Sequence, residues 1–440
     1  MKKRFNKRGS IMVFLTSILI TMIMLSFVFV QAARSVCGAS YSDAVLELAG
    51  RSVLAEFDRR LKDEYGVFAF YGLENIVESK IMFYANGSFN KRLPGELMLG
   101  NGLIIDVFKL KLQRVDASLT AHSLMDVDML EEQIEDYMKY LMVQKGLKFI
   151  EDMWSGVGGA KSNPSGADRE LKNRAEINSL PSFGNVSNGI DISAIVSKGI
   201  PSISEIFDES TSRFMVNEYI MSHFQYNIGG GKQKETFFRN EVEYILYGKM
   251  KDKDNLSKFR NDFLLLRTAL NMAHIMADQK KRSTAMALAE PFGPFAPAAF
   301  TAIVAAWGAA EAENDARRLL DGKKVAFIKT EATWALGLKA AVRARSIRND
   351  EGDIVGVSAT PRKVKGYISP VSNSGMSYAE YLRVFLFLEK RETKLLRVMD
   401  LIQLNLRGSY YEGFLIKDHY TGFSLEAVVS GKKFEYEQKY

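Results

Sequence analysis

One cysteine in 440 residues removes several chemistries at once. Cys37 has no partner for an internal disulfide, and no Cys/His zinc cluster can be assembled around it. Its place just beyond a long apolar run leaves room only for a disulfide between neighbouring chains or for a small residue on a helix. Histidine is scarce too. His122, His223, His274 and His419 are scattered, with no HExxH and no pair at helical spacing. His274, in an apolar helix, reads as a hydrogen-bonded core residue. The chain has no G-x-S-x-G elbow. "NIGGGKQ" (Asn227–Gln233) fails as a phosphate loop, because Tyr226 stands at the first glycine and Gln233 at the magnesium-reaching hydroxyl. "SGVGGAKS" fails likewise, with Ala160 before Lys161. Asp126 and Asp128 read as the acidic start of a helix. No residue is therefore assigned to catalysis, a cofactor or a metal; no small-molecule substrate is implied, and the protein is not expected to be an enzyme.

An excess of basic charge in the body of the chain is also lacking. Lys plus Arg number 59 against 52 Asp plus Glu, but Lys2, Lys3, Arg4, Lys7 and Arg8 supply five of the seven excess charges. From residue 11 onward the balance is 54 to 52. Nucleic-acid binding requires cations on the folded part to neutralise phosphates, so no nucleic acid is expected as a partner.

What the basic head abuts is a run of 23 residues, Ile11–Ala33, without one ionisable side chain. As a helix it reaches about 34 Å, enough for a hydrocarbon core of about 30 Å. A secretory signal has a shorter apolar core, of about 7–15 residues, although Val30-Gln31-Ala32 offers a peptidase site. The run is thus expected to stay as a transmembrane helix in membrane lipid. The basic head holds the N-terminus in the cytoplasm and leaves the bulk of the chain extracytoplasmic. Thr16, Ser17 and Thr21 within it are candidates for helix–helix contact, or for bonding back to their own helix.

Past the membrane, Val45, Leu48, Leu54, Phe57 and Leu61 keep a helical spacing up to Gly66, which predicts a stalk. Phe108, Leu110 and Leu112 alternate as in a strand, while Leu130, Ile134, Tyr137 and Leu141 share a helix face. Gly, Ser, Asn and Pro dominate 155–204, a flexible linker or loop. In the rest, Phe259, Phe263, Leu266 and Leu270 mark one helix. Ser377 and Glu380 open another as a capping box, expected to run to Gly408, and the C-terminus alternates like paired strands. Pro291–Ala310 is uncharged, but Pro294 and Pro297 interrupt it, so a buried helix starting at Pro297 is expected rather than a second span. The fold class expected is α+β, predominantly helical, with some antiparallel strands. Its parts are a basic head (1–10), a transmembrane helix (11–33), a stalk with an α+β segment (34–154), the linker (155–204) and a helical domain with C-terminal strands (205–440).

The blocks "RGSIMVFLTSILI", "LELAGRSVLAEFDRRLKDEYGVFAFYG", "FRNDFLLLRTALNMAHIMAD", "WGAAEAENDARRLLDGKKVAFIKT" and "SYAEYLRVFLFLEKRETKLLRVMDLIQLNLRG" together resemble a membrane-anchored family of Gram-positive bacteria found near tight-adherence (Tad) pilus genes. Gly9-Ser10 before the apolar helix is similar to the leader-processing junction of pilin-like (TadE/TadG-like) proteins, although Phe14 stands where such pilins commonly carry Glu. The resemblance implies a structural or assembly protein of a Tad-type pilus or secretion apparatus, with other pilin-like or Tad proteins as partners. The alternative is a surface-bound enzyme or ligand-binding receptor.

Overall fold

The computed structural model describes residues 7–89, 96–98, 104–106, 108, 110–154, 169–186, 190, 192, 211–228, 236–338, 341, 346–348, 354–357 and 366–440. The fold is α+β and predominantly helical, with short antiparallel strands, as the sequence predicts. Contacts divide the chain into two units. Unit 1 holds Met1–Lys62, Phe68–Met129 and Lys417–Tyr440; unit 2 holds Asp63–Val67 and Leu130–Ile416. Composition suggested boundaries that follow the chain. Strand pairing is non-local, however, and it places the C-terminal strands with the N-terminal helix rather than with the helices that precede them.

In unit 1, α1 (Lys7–Leu54) is one helix of 48 residues, so the expected span and the segment after it form a single rod. That second segment is not a bare stalk. From Gly38 onward α1 buries Val45, Leu46, Ala49 and Val53 in an apolar core, while Leu48, expected on that face, is 60 % exposed. The helix also ends sooner than Gly66. Asp58 starts a separate helix, α2 (Arg59–Tyr65), its carboxylate accepting the N–H of Arg60 (2.8 Å) and of Leu61 (3.0 Å). Against α1 lie α3 (Glu74–Phe89) and a three-stranded antiparallel sheet in the order β1 (Leu112–Ser118), β2 (Gly422–Val429), β3 (Lys432–Lys439). Helix α3 contributes Val77, Ile81, Ala85 and Phe89, a strict i, i+4 stripe; β2 contributes Phe423, Leu425, Ala427 and Val429 at strand period. Strands β2 and β3 are joined by Ser430-Gly431, with φ of 48° and 83°, the tight turn that matches strand twist. Of the alternation read at 108–112, only Leu112 lies in strand β1; Leu110 packs on the core from outside it.

In unit 2, α4 (Val127–Trp154) buries Leu130, Ile134, Met138 and Leu141, with Tyr137 half-buried beside His223 at 3.2 Å. Of the expected linker, 155–168, 187–189, 191 and 193–204 lie outside the described residues. Residues 169–186 include α5 (Arg174–Asn178), capped by Asn173; Leu171, Leu180 and Pro181 are buried, and most of the others are exposed. The helices that follow are α6 (Thr211–His223), the wholly buried α7 (Glu241–Tyr247), α8 (Asp252–Ala277), α9 (Gln279–Ala289) and α10 (Ala296–Leu320). Pairings of Arg260 with Glu313 and Asn271 with Gly308 show α8 and α10 running antiparallel. Gly308 permits their approach: a Cβ there would lie 2.9 Å from Met272.

Two expectations change here. The helix opened by Ser377, whose capping box is present, splits into α11 (Tyr378–Leu388) and α12 (Arg391–Ser409). Glu389 and Lys390 are extended, and the buried Glu389 carboxylate accepts the N–H groups of Lys390 and Ile190. That bonding compensates for the broken helix. The stretch Pro291–Ala310 is only half buried. The last part of α10 is interior, while Glu290–Phe295 and the first turn and a half of α10 lie largely on the surface.

Candidate membrane anchor and charged interior

Helix α1 changes character at Gly38. Every side chain from Ile11 to Ala33 is exposed, with Phe14 at 65 % and Phe29 at 66 %, whereas the buried stripe begins at Gly38 and Ser42. An uncovered helix of this composition fits a membrane anchor. Thirteen Leu, Ile, Phe and Val residues lie between Ile11 and Val30, contributing roughly 4–8 kcal/mol toward insertion. The two threonines inside it bond back to their own helix. Thr16 Oγ1 donates to the carbonyls of Met12 and Val13 (both 3.0 Å), and Thr21 Oγ1 to those of Ser17 (2.8 Å) and Ile18 (2.9 Å). Thr16, Ser17 and Thr21 are thus all exposed on the bare segment. Lys7, Arg8, Gly9 and Ser10 belong to the first turn of α1; Lys2, Lys3 and Arg4 lie outside the described residues. Cys37 is exposed, next to the point where burial starts.

The other concentration of chemistry-bearing side chains is inside unit 2. On α8 and α10, charges occupy positions of the apolar stripe. Arg267 is one residue from Leu266, and Glu311 and Asp315 continue the line of Val304, Trp307 and Gly308. The fully buried Asp315 accepts from Arg267 Nε (3.2 Å) and Nη2 (3.1 Å) on one oxygen and from Lys329 Nζ (2.7 Å) on the other. Lys329 also donates to Glu311 (2.7 Å) and to the Thr333 carbonyl (3.0 Å). Glu311 in turn accepts the N–H groups of Ala335 and Leu336. The network fastens the irregular segment after α10 onto the α8–α10 pair, and each of these charges has a partner.

A second network surrounds α7. Its N-terminal acids take backbone donors from the preceding loop, Glu241 from Gln225 (2.8 Å) and Glu243 from Asn227 (3.1 Å). At its C-terminus Arg397 Nη1 donates to the carbonyls of Ile245 (2.9 Å) and Leu246 (2.6 Å). Carboxyl groups thus sit at the helix start and a cation at its end, the order the macrodipole favours. Tyr378 donates its hydroxyl to Glu243 Oε1, whereas Oε2 is buried without a hydrogen-bond partner. Burial pushes the Glu243 carboxyl up to about 7, opposed by its bonds from Tyr378 and Asn227. Asp400, which accepts from Tyr244 (2.9 Å) and the Ser182 N–H (2.9 Å), is pushed up to about 6, again by burial.

The motifs set aside in the sequence have structural roles where they are described. Asp126 Oδ1 accepts the Asp128 N–H at 2.8 Å, starting α4 as expected. His274 is stacked on Trp334, ring centroids 5.1 Å apart, and its Nε2 has no hydrogen-bond partner, which corrects the hydrogen-bonded core role. His122 is buried in unit 1 with its pKa lowered by burial. Among the described residues no three His, Cys, Asp or Glu side chains form a metal-holding group. "SGVGGAKS", and "NIGGGKQ" beyond Ile228, lie outside the described residues. The charged interior is what sequence reasoning missed. Its signal was present as charges at stripe positions 267, 311 and 315, but periodicity sorts residues by apolarity and passes over them.

A family model described as "Family of unknown function (DUF5702)" matches residues 166–431. No curated protein and no solved structure matches the chain.

Proposed function

This chain belongs to the DUF5702 family, and we propose that it is a single-pass, membrane-anchored structural or assembly component of a Tad-type pilus or secretion apparatus. The observation that carries this reading is the construction of α1. One unbroken helix is bare and apolar over a membrane's thickness and then becomes a core element of a folded unit. Such a rod couples the span rigidly to the body, the arrangement a pilin-like subunit needs for its span to report on its packing. Lys7 and Arg8, with the three cations before them, hold the N-terminus in the cytoplasm and leave both units outside. The body works by binding and positioning, not by catalysis. Its partners are the membrane lipid and other proteins of the apparatus.

The test is co-purification of the full chain from membranes of its host in mild detergent, reading the partners by mass spectrometry. Recovery of pilin-like, platform or ATPase proteins is expected. Recovery of none, at normal levels of folded chain, would remove the assembly role and leave only a tethered domain.

A further inference from the structure

We infer that the turn between α9 and α10 is a second, reversible membrane contact that dips into the interface of a lipid bilayer; the inference rests on the anchored reading of α1. Met286 and Leu288, in the last turn of α9, are 56 and 42 % exposed, and Phe292 and Phe295 are 57 and 74 % exposed on a turn whose residues Glu290–Phe295 all lie on the surface. Gly293, at φ 54°, reverses the chain between Pro291 and Pro294, so the two phenylalanines flank a rigid bend.

Three observations select lipid as the occupant. First, Ser283–Ala310 holds a single ionisable residue, Glu290, and the bend itself is Pro, Phe, Gly and Ala. Such a tip offers almost no side-chain hydrogen bonds to orient a protein partner, but it suits a phase that asks for none. Second, the apolar stretch is bounded at the start of α9 by two exposed cations, Arg282 and Lys280, the latter 3.7 Å from the equally exposed Glu331; Lys281 between them is held by Asp278 (2.6 Å). An eleven-residue helix is about 16 Å long, so α9 lies oblique to the surface when a tip buried about 5–10 Å leaves those cations at the headgroups. Exposed cations complement anionic headgroups. Third, α1 tethers the chain to a bilayer, so weak insertion suffices at the effective concentration a tether provides. The segment does not cross. Thirteen residues separate Pro297 from Glu311, too few for a span, and Glu311 and Asp315 are locked to Lys329 and Arg267 inside unit 2.

The full chain carrying Cys37→Ser and Phe295→Cys, labelled with an environment-sensitive fluorophore, is reconstituted into phosphatidylcholine–phosphatidylglycerol vesicles. Val371→Cys, at a position 93 % exposed, is the control. Flotation with the vesicles reads the α1 anchor separately from the tip. The inference expects the label at 295 to lose most of its fluorescence to lipids spin-labelled near the headgroup and to be shielded from aqueous iodide. The label at 371 should behave oppositely. Iodide quenching at 295 equal to that at 371, in floated protein, overturns the inference. So does shielding from both quenchers, which would mean that protein covers the tip. Phe292→Cys repeats the measurement at the other phenylalanine in case labelling at 295 disturbs the bend.

Discussion

The two units place their charges differently. The core of unit 1 is apolar, with Ser42, His122, His419, Thr421 and Gln438 as its buried polar residues among those described. Unit 2 buries Glu241, Glu243, Arg267, Glu311, Asp315, Lys329, Arg397 and Asp400, among others. The difference shows two ways of specifying a fold. Apolar packing on α1 is tolerant of detail, since side chains of about the right size and apolarity suffice. Paired charges in an interior add little net stability compared with well-packed hydrocarbon, but they penalise every arrangement that separates them. Unit 2 should therefore be the more easily broken by a single atom-level change, and the more sensitive to pH.

The largest effect is expected where one anion serves two cations. Asp315→Ala leaves Arg267 and Lys329 short of their shared partner and should cost unit 2 about 3–5 kcal/mol. Denaturant unfolding gives the size. Native-state hydrogen exchange localises it, and amides of Val45–Val53 in α1 should keep their protection if the units are independent in this respect. The matching lesion in unit 1 is Leu46→Ala, expected to cost about 2–5 kcal/mol through a cavity and to do so equally at pH 5 and pH 8.

The pH contrast is sharper. Glu243 has its carboxyl raised to about 7 by burial, so the stability it contributes is complete below the ordinary glutamate range and is lost as pH rises through about 7. Roughly 3 kcal/mol is at stake between those limits. Glu243→Gln should therefore raise the thermal midpoint of unit 2 at pH 8, leave it nearly unchanged at pH 4.5, and flatten the slope between. His122 in unit 1 works with the opposite sign. Burial lowers its pKa, so its contribution is present above the usual imidazole range and is lost as pH falls below it. A Glu243→Gln variant with an unaltered slope would show that the charged interior is not what makes unit 2 respond to pH.

The smallest effect concerns the anchor. Replacing Thr16, Ser17 and Thr21 together with leucine raises apolarity, so insertion should persist. Any contacts between helices through those hydroxyls, worth about 0.6–2 kcal/mol each, would be lost. Pull-downs that recover fewer partners mark the helix as an assembly contact. Undiminished recovery assigns the two threonine hydroxyls to their bonds with the carbonyls of Met12, Val13, Ser17 and Ile18.

How much of this was legible follows from the same contrast. The apolar run of α1, the Ser377–Glu380 capping box, the stripe Phe259–Phe263–Leu266 and the C-terminal hairpin are local patterns, and each is found. The break at Glu389 was not legible. No proline or glycine marks it, and it rests on an N–H from Ile190, a contact 199 positions away. Leu48 was misplaced because Leu46 serves the core in its stead. The charged networks of Asp315 and Glu243 depend on partners distant in sequence, which periodicity cannot bring together.

The claim on which the account turns is that one span, α1, carries the whole body of the chain across the membrane. Alkaline phosphatase fused after Arg60 and, separately, after Tyr440 tests it in living cells, because the enzyme is active only outside the cytoplasm. Both fusions are expected to be active. An active fusion at Arg60 with an inactive one at Tyr440 would make Gln279–Leu320 a second span, and inactivity at both would reverse the anchor or remove it.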